Sequence, residues 1–348
     1  MQTLFTKDAK GKIRVWQVEE QAEGFILNHG EKGGILQSKY IDVTPKSNRT
    51  MNQQIDLEIN SRINKQLDKG YVWTEKNAID APKTNALGLI KPMLATPIDK
   101  VKNADYNSAV IQRKYNGHRC MITNTEGNIV AYSRNGKPIT SIDHITNELN
   151  IPLNTTLDGE LYVHNTPLQK ISSIVKKEQE MSKHLRFVAY DTIMDSDYSE
   201  RLAELMSLPA SSHFQVAGTY SFNKGEELDY MQKFVEEGFE GAIIRLDGYS
   251  YEDAKRSKGL IKVKPKYDGE FKVIGMEQSS DGWARLVCEM PSSAKVFRVS
   301  AMGTIPEKHQ IWREREAHIG RHVQIEYYDL TQDGILFHPV ALRWRDKQ

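Results

Sequence analysis

Cysteine is almost absent: Cys120 and Cys288 are the whole supply in 348 residues. So few, so far apart, exclude a disulfide framework and a cysteine-based zinc site, and both are read as buried small hydrophobes. Long apolar runs are missing as well. No window approaches the roughly 20 apolar residues of a membrane helix, and the opening Met1 to Lys7 has no signal-peptide core. The expectation is an intracellular protein with no membrane partner. Charge of one sign is lacking too, since 47 Lys and Arg against 46 Asp and Glu leave a net +1. Net charge therefore announces no nucleic-acid partner, and any such site has to be argued from local arrangement. What the chain does have is the balance of a globular protein, 39% hydrophobic and 27% charged, and enough length for two or three domains with cores. It holds no internal repeat and no low-complexity tract.

The pattern along the chain divides it in three. In the first part, Ile13 to Val18 and Gly24 to Leu27 read as strands, with a glycine turn over Gly30 to Gly34 before Ile35 to Gln37. Ile55, Ile59, Ile63 and Leu67 then recur every fourth residue, one stripe of a helix that ends near Lys69-Gly70. Asp80 to Asn85 is a polar, proline-containing linker. From there to about Lys266, strands (Arg119 to Thr123, Ile129 to Ser133, Thr156 to Val163, Phe187 to Asp191, Gly241 to Leu246) alternate with helices at Tyr198 to Leu205 and Leu228 to Glu237. That is an α+β pattern. Beyond Gly269 five short strands follow, Glu270 to Met276, Ala284 to Glu289, Lys295 to Val299, His322 to Tyr328 and Pro339 to Arg345, which suits a small OB barrel. The expected domains are residues 1–85, 86–267 and 268–348.

Chemistry concentrates in short segments. Lys114-Tyr115-Asn116-Gly117-His118-Arg119 puts a nucleophilic amine, a permissive glycine and a phosphate-binding guanidinium within six residues. Ser133-Arg134-Asn135-Gly136, Asp158-Gly159-Glu160-Leu161, Phe187 to Asp191, Glu240 to Arg245 and Leu260 to Lys264 follow in order. Any one of these is commonplace; a lysine or a carboxylate at a strand end is ordinarily a solvated side chain. Lysine amines are protonated at neutral pH, so a nucleophilic one needs cationic surroundings, and Arg119, Lys262, Lys264 and a bound metal are the candidates. Lys262 and Lys264, two residues apart, are expected on one face of a strand.

The six segments in this order resemble the nucleotidyltransferase motifs of ATP-dependent DNA ligases, from roughly Leu87 to the C-terminus, with Lys91 to Ala95 similar to the entry of that domain. The resemblance implies an ATP-grasp-like adenylation domain followed by an OB-fold barrel. It implies that Lys114 carries AMP, that Lys262 and Lys264 neutralise the α-phosphate, and that Arg119 and Arg134 bind phosphate, Arg134 at the 5′-phosphate of the nick. It further implies Glu160 on the ribose hydroxyl, Tyr190 stacked on adenine, Gln112 at the adenine edge, and Glu240 at a Mg²⁺ (or Mn²⁺) site. Arg345 and Lys347 correspond to a terminal motif that orients pyrophosphate, although this chain has no residue between Arg345 and Asp346. Asn116 stands where the family has Asp, which preserves size but removes a charge. The first domain is similar to the WGR domain of poly(ADP-ribose) polymerases, a DNA-binding module, with Asn28-His29-Gly30 where the signature falls; Lys32, Lys39, Lys46 and Arg49 are its candidate phosphate contacts.

The expected activity is ATP-dependent sealing of 5′-phosphate/3′-hydroxyl nicks in duplex DNA, for repair or replication, by a monomer in a cellular or viral setting (cytoplasm, nucleoid or host cytoplasm). ATP is expected rather than NAD because no nicotinamide-binding, zinc-finger or helix-hairpin-helix segment is seen. Two alternatives stay open: an RNA-end ligase or capping guanylyltransferase using the same lysine, and a non-catalytic DNA-binding protein on a ligase scaffold.

Overall fold

The computed structural model describes residues 1–8, 11–79, 89–279, 281–291, 293–331 and 333–345. The N-terminal module is an antiparallel meander of β1 (Gln2–Lys7), β2 (Ile13–Gln21), β3 (Gly24–Glu31) and β4 (Gln37–Asp42), followed by α1 (Met51–Asp68) and α2 (Glu75–Ile79). Strand β1 goes unmarked in the sequence pattern, because its apolar pair Leu4-Phe5 is too short to show alternation. Helix α1 begins with a reciprocal cap: the Gln53 amide donates to Thr50 Oγ1 at 3.3 Å and the Thr50 amide to Gln53 Oε1 at 3.0 Å. Its stripe of Ile55, Ile59 and Ile63 is buried against Leu4, Trp16, Val18 and Phe25 of the sheet, and Gly70, with φ +92°, ends it in the left-handed region. The expected linker at Asp80 to Asn85 and the boundary at 85/86 lie outside the described residues.

Two five-stranded sheets follow. One has the order β11-β10-β9-β7-β8, from β7 (His118–Thr125), β8 (Asn128–Ser133), β9 (Thr156–Tyr162), β10 (Arg186–Thr192) and β11 (Phe214–Val216). The other has the order β12-β6-β13-β14-β5, from β5 (Leu94–Pro97), β6 (Val110–Lys114), β12 (Thr219–Ser221), β13 (Gly241–Arg245) and β14 (Arg256–Val263). Short α3 (Asp143–Thr146), then α4 (Leu168–Lys176) and α5 (Tyr198–Ser207), pack Ile145, Ile171, Ile174 and Leu205 onto Ile122, Leu157, Leu161 and Phe187 of the first sheet. Helix α6 (Glu227–Glu236) buries Met231 and Phe234 against Ile111, Ile244 and Ile261 of the second. Helix α4 is not marked by the sequence pattern; its apolar residues share a stretch with lysines that extend to solvent.

The chain divides into two compact units, Met1–Val263 and Lys264–Gln348. The N-terminal module, despite its own sheet and core, falls in the first unit, and the break comes just before the expected 267/268. Pro265 accounts for that position: the residue before a proline is restricted and proline offers no amide, so β14 stops at Val263. The second unit is the OB-type domain, a sheet of order β17-β16-β15-β18-β21 built from β15 (Tyr267–Gln278), β16 (Ala284–Glu289), β17 (Val296–Ser300), β18 (His322–Tyr327) and β21 (Val340–Arg345). It also carries α7 (Ile305–Arg313), with Thr304 and Glu307 as its capping box, and a small ribbon of β19 (Asp329–Leu330) and β20 (Leu336–Phe337).

Candidate active site

Lys114 is the last residue of β6 and pairs with Gly241 of β13, so Glu240 arrives beside it; the Glu240 amide donates to the Lys114 carbonyl at 2.9 Å. Their side chains form an ion pair, Nζ to Oε2, each mostly covered but still reachable from solvent. Antiparallel pairing thus brings into contact two groups 126 residues apart.

The first sheet supplies the opposite wall. Arg119 and Glu160 are cross-strand neighbours on β7 and β9. Between Lys114 and Arg119 the chain presses onto β9 so closely that a Cβ on Gly117 would stand 2.4 Å from the Leu161 carbonyl oxygen and 2.7 Å from Glu160 Cγ. Only glycine fits there. Burial pushes the Glu160 carboxyl up to about 7, against the pull of Lys114 and Arg119 and with a further push from Glu240. The Tyr190 hydroxyl donates to it at 3.3 Å.

Arg119, an expected phosphate ligand, is anchored across the sheet: its Nε donates to Asp158 Oδ1 at 2.9 Å, Nη2 pairs with Oδ2, and the Tyr251 hydroxyl donates to the same Oδ2 at 2.6 Å. Gln112, the expected reader of the adenine edge, sits in a buried polar network. It is 1% exposed, its amide N–H groups donate to Tyr198 Oη and Thr219 Oγ1 at 2.8 Å each, and its carbonyl accepts from Arg245 Nε at 2.8 Å. Beneath it Asp191 pairs with Arg201 at 2.7 Å and with Arg245, all three buried. The Arg119 and Arg245 guanidiniums lie 5.6 and 5.4 Å from the centre of the Tyr190 ring, which stays partly exposed.

The remaining candidates are spread. Lys262 sits on β14 opposite Ile243. Lys264 lies past the end of that strand, in the second unit, with its ammonium 5.8 Å from the Tyr328 ring; the shared strand face expected for the two lysines is cut short. Arg134, in the turn after β8, is lowered from its ordinary value by burial and by Arg119 and Arg256. Arg345 Nε meets Glu270 at 3.0 Å in the second unit, and Lys347 lies outside the described residues. In the N-terminal module Lys32 pairs with Glu75, Arg49 donates to the Lys46 carbonyl and to Gln54 at 3.3 Å, and Lys39 stands exposed on edge strand β4.

Asp158, Asp191, Arg201, Arg245 and Tyr251 have no role assigned from sequence. A signal exists for two of them: Asp191 ends the apolar run Phe187 to Tyr190 and Arg245 ends Ala242 to Ile244, and a charge closing a buried strand needs a partner. For metal binding, no group of three His, Cys, Asp or Glu gathers among the described residues. The Glu240 and Glu160 carboxylates fit a hard cation that arrives with phosphate oxygens, since Mg²⁺ commonly takes only one or two protein carboxylates, and a carboxyl pushed up to about 7 is one that a nearby cation would relieve.

Residues 92–264 match the family model of the ATP dependent DNA ligase domain. The DNA ligase of African swine fever virus (isolate Tick/South Africa/Pretoriuskop Pr4/1996) is 28% identical over 385 residues, which takes in 99% of this chain and 84% of the relative. The SPbeta prophage-derived DNA ligase-like protein LigB of Bacillus subtilis (strain 168) is 28% identical over 187 residues, 50% of this chain and 67% of the relative. A solved Lig E DNA ligase superposes with a TM-score of 0.60 at 21% identity, covering 73% of this chain and 99% of that one.

Proposed function

The chain belongs to the ATP-dependent DNA ligase family, and from that premise we propose that Lys114 takes AMP from ATP and delivers it to the 5′-phosphate of a nick in duplex DNA. The observation that carries this reading is the ion pair of Lys114, at the end of β6, with Glu240, just before β13, and Glu160 of β9 near enough to feel both charges. In the first step the deprotonated Nζ attacks the α-phosphorus; the N–P bond forms as the bond to the bridging oxygen breaks, and pyrophosphate leaves. In the second, a 5′-phosphate oxygen of the nick attacks that phosphorus, the P–N bond breaks, and the lysine amine takes up a proton. In the third, the 3′-hydroxyl loses its proton and attacks the 5′-phosphorus, and AMP departs. Positioning and charge stabilisation dominate such transfers, which is why one cluster can serve three displacements.

Within this scheme Glu160 accepts a ribose hydroxyl, Tyr190 stacks on the base, Lys262 and Lys264 approach the α-phosphate, and Arg134 holds the nick phosphate. Arg119 keeps Asp158 and the β7–β9 pair in place beside Glu160. Mg²⁺ or Mn²⁺ held by Glu240, when bound with the nucleotide, supplies charge neutralisation for the phosphates. Arg345 and Lys347 orient pyrophosphate, and Lys39, Lys46, Lys32 and Arg49 give the N-terminal module its DNA-facing charge. We place the enzyme inside the cell as a monomer acting in repair or replication.

The test is labelling with radioactive ATP or GTP, followed by nicked DNA and RNA duplexes. Lys114→Ala is expected to lose both labelling and sealing of an unadenylated nick while retaining some sealing of a pre-adenylated one, since the third step needs no lysine bond. A labelled alanine variant refutes the assignment, and labelling by GTP alone favours a capping-type enzyme.

A further inference from the structure

A cavity of about 410 Å³ opens beside Arg134, and its charged lining is almost all of one sign: Arg119, Arg134, Lys137 and Lys176, with His118 among them. The crowding is felt by its members. His118 is lowered from its ordinary value by burial and then by Lys176, as Arg134 is by burial and then by Arg119 and Arg256. One carboxylate lines this cavity, and it comes from the N-terminal module: Asp68, the last residue of α1, whose Oδ2 pairs with Lys137 Nζ at 2.8 Å. Lys137 is held in place by the turn it closes, its carbonyl accepting from the Ser133 amide at 2.8 Å and its amide donating to Ser133 Oγ at 3.1 Å. A second cation meets the same end of α1. Lys91 Nζ lies against Gly70, 3.1 Å from where a Cβ there would stand. A helix C-terminus carries partial negative charge, so the end of α1 presents a carboxylate and a dipole to a basic rim.

We propose that Asp68 occupies the place of a DNA phosphate at Lys137 in the free enzyme, so that docking of the nicked strand has to exchange this carboxylate for phosphate. The N-terminal module thereby sets an autoinhibitory contact at the pocket of Arg134, and Lys137 is a further phosphate ligand of the nick strand. The proposal rests on the reading of Arg134 as the seat of the nick's 5′-phosphate. Carboxylate and phosphate oxygens satisfy an ammonium in the same way, and the phosphate prevails because its strand brings further contacts. The barrier is small. An exposed ion pair of this kind shifts an equilibrium by a factor of about 1.5 to 5.

The experiment is a binding titration of the full chain with a nicked duplex whose 3′ end is dideoxy, at several salt concentrations, beside ATP labelling of the same proteins. Asp68→Asn is expected to bind the nick about 1.5- to 5-fold more tightly with labelling unchanged. The slope of log affinity against log salt should stay close to that of wild type, because Lys137 meets the same phosphate in both complexes, and it should flatten by about 0.9 in Lys137→Ala, which loses that contact. Lys137→Ala should bind more weakly, and Asp68→Asn should have no effect in that background. An Asp68→Asn protein with wild-type affinity overturns the proposal, as does a gain that persists in full without Lys137 or a Lys137→Ala protein with the wild-type salt slope. Arg134→Ala separates this from the underlying reading: if it leaves the preference for a 5′-phosphate over a 5′-hydroxyl nick intact, the nick-phosphate assignment itself fails.

Discussion

Replacing Glu160 by Gln is expected to strengthen the fold while crippling the enzyme, with a pH dependence that identifies the cause. Burial pushes this carboxyl from 4.5 up to about 7. At about 1.4 kcal/mol for each pH unit, holding it ionised costs the fold up to about 3 kcal/mol, and water entering the open side of the site reduces that to about 1–2 kcal/mol. A carboxyl raised in the native state binds more protons folded than unfolded between the two values, so wild-type stability falls as pH rises from about 4.5 to about 7 and is level above. The neutral amide has the same shape, can still accept from Tyr190 Oη, and escapes this loss. Urea unfolding at pH 8 should therefore show Glu160→Gln more stable by about 1–2 kcal/mol. The advantage should shrink as the pH is lowered through 7 and vanish below 4.5. Labelling by ATP at pH 8 should fall by about 100-fold, the scale of removing one charged partner from the nucleotide. A variant no more stable than wild type at pH 8, or equally favoured at every pH, refutes the argument from burial.

Three further outcomes are expected. Gly117→Ala, whose Cβ has no room beside the Leu161 carbonyl, should lose about 1–3 kcal/mol of stability in thermal unfolding and at least ten-fold in labelling rate, as overpacking forces the turn off β9. Asn116→Asp should preserve or raise nick sealing and Asn116→Ala should lower it; an inert response to both removes the position from the chemistry. Deleting residues 1–85 should leave lysyl-AMP formation intact and weaken nick binding in titrations at several salts, the lost phosphate contacts outweighing the few-fold relief from Asp68, with the slope flattening by about 0.9 for each phosphate that the module had neutralised.

Local pattern makes much of the architecture legible. The stripe Ile55, Ile59, Ile63 marks α1 because its period is that of a helix on a sheet, and strand β16 (Ala284–Glu289) coincides with its expected span because its alternation is clean. The juxtaposition of Lys114 with Glu240 is not a local property; it follows from the β6–β13 register, and only the order of the motifs points to it. The partners of Gln112 are not legible in the sequence, because its spacing from Lys114 fixes its side of the strand but not its neighbours, and Tyr198, Thr219 and Arg245 reach it from three other elements. Helix α7 is hidden for a plainer reason: only Ile305, Ile311 and Trp312 are large and apolar, and none is buried. The stop of β14 is written in the sequence, in Pro265.

The pairing of Asp191 with both Arg201 and Arg245 bears on how firmly the two walls of the site are joined. One carboxylate on β10 grips a guanidinium from α5 and another from β13, so it works as a spacer that sets the gap between the two sheets. Buried and doubly held, such a spacer joins the two sheets as one block, because moving either would strip a buried carboxylate of a partner. Gln112, engaged by Tyr198, Thr219 and Arg245, ties β6, β12 and α5 into the same block. The wall that carries Lys114 and the wall that carries Glu160 are therefore held at a fixed separation, since β6 pairs with β13 and β9 with β10.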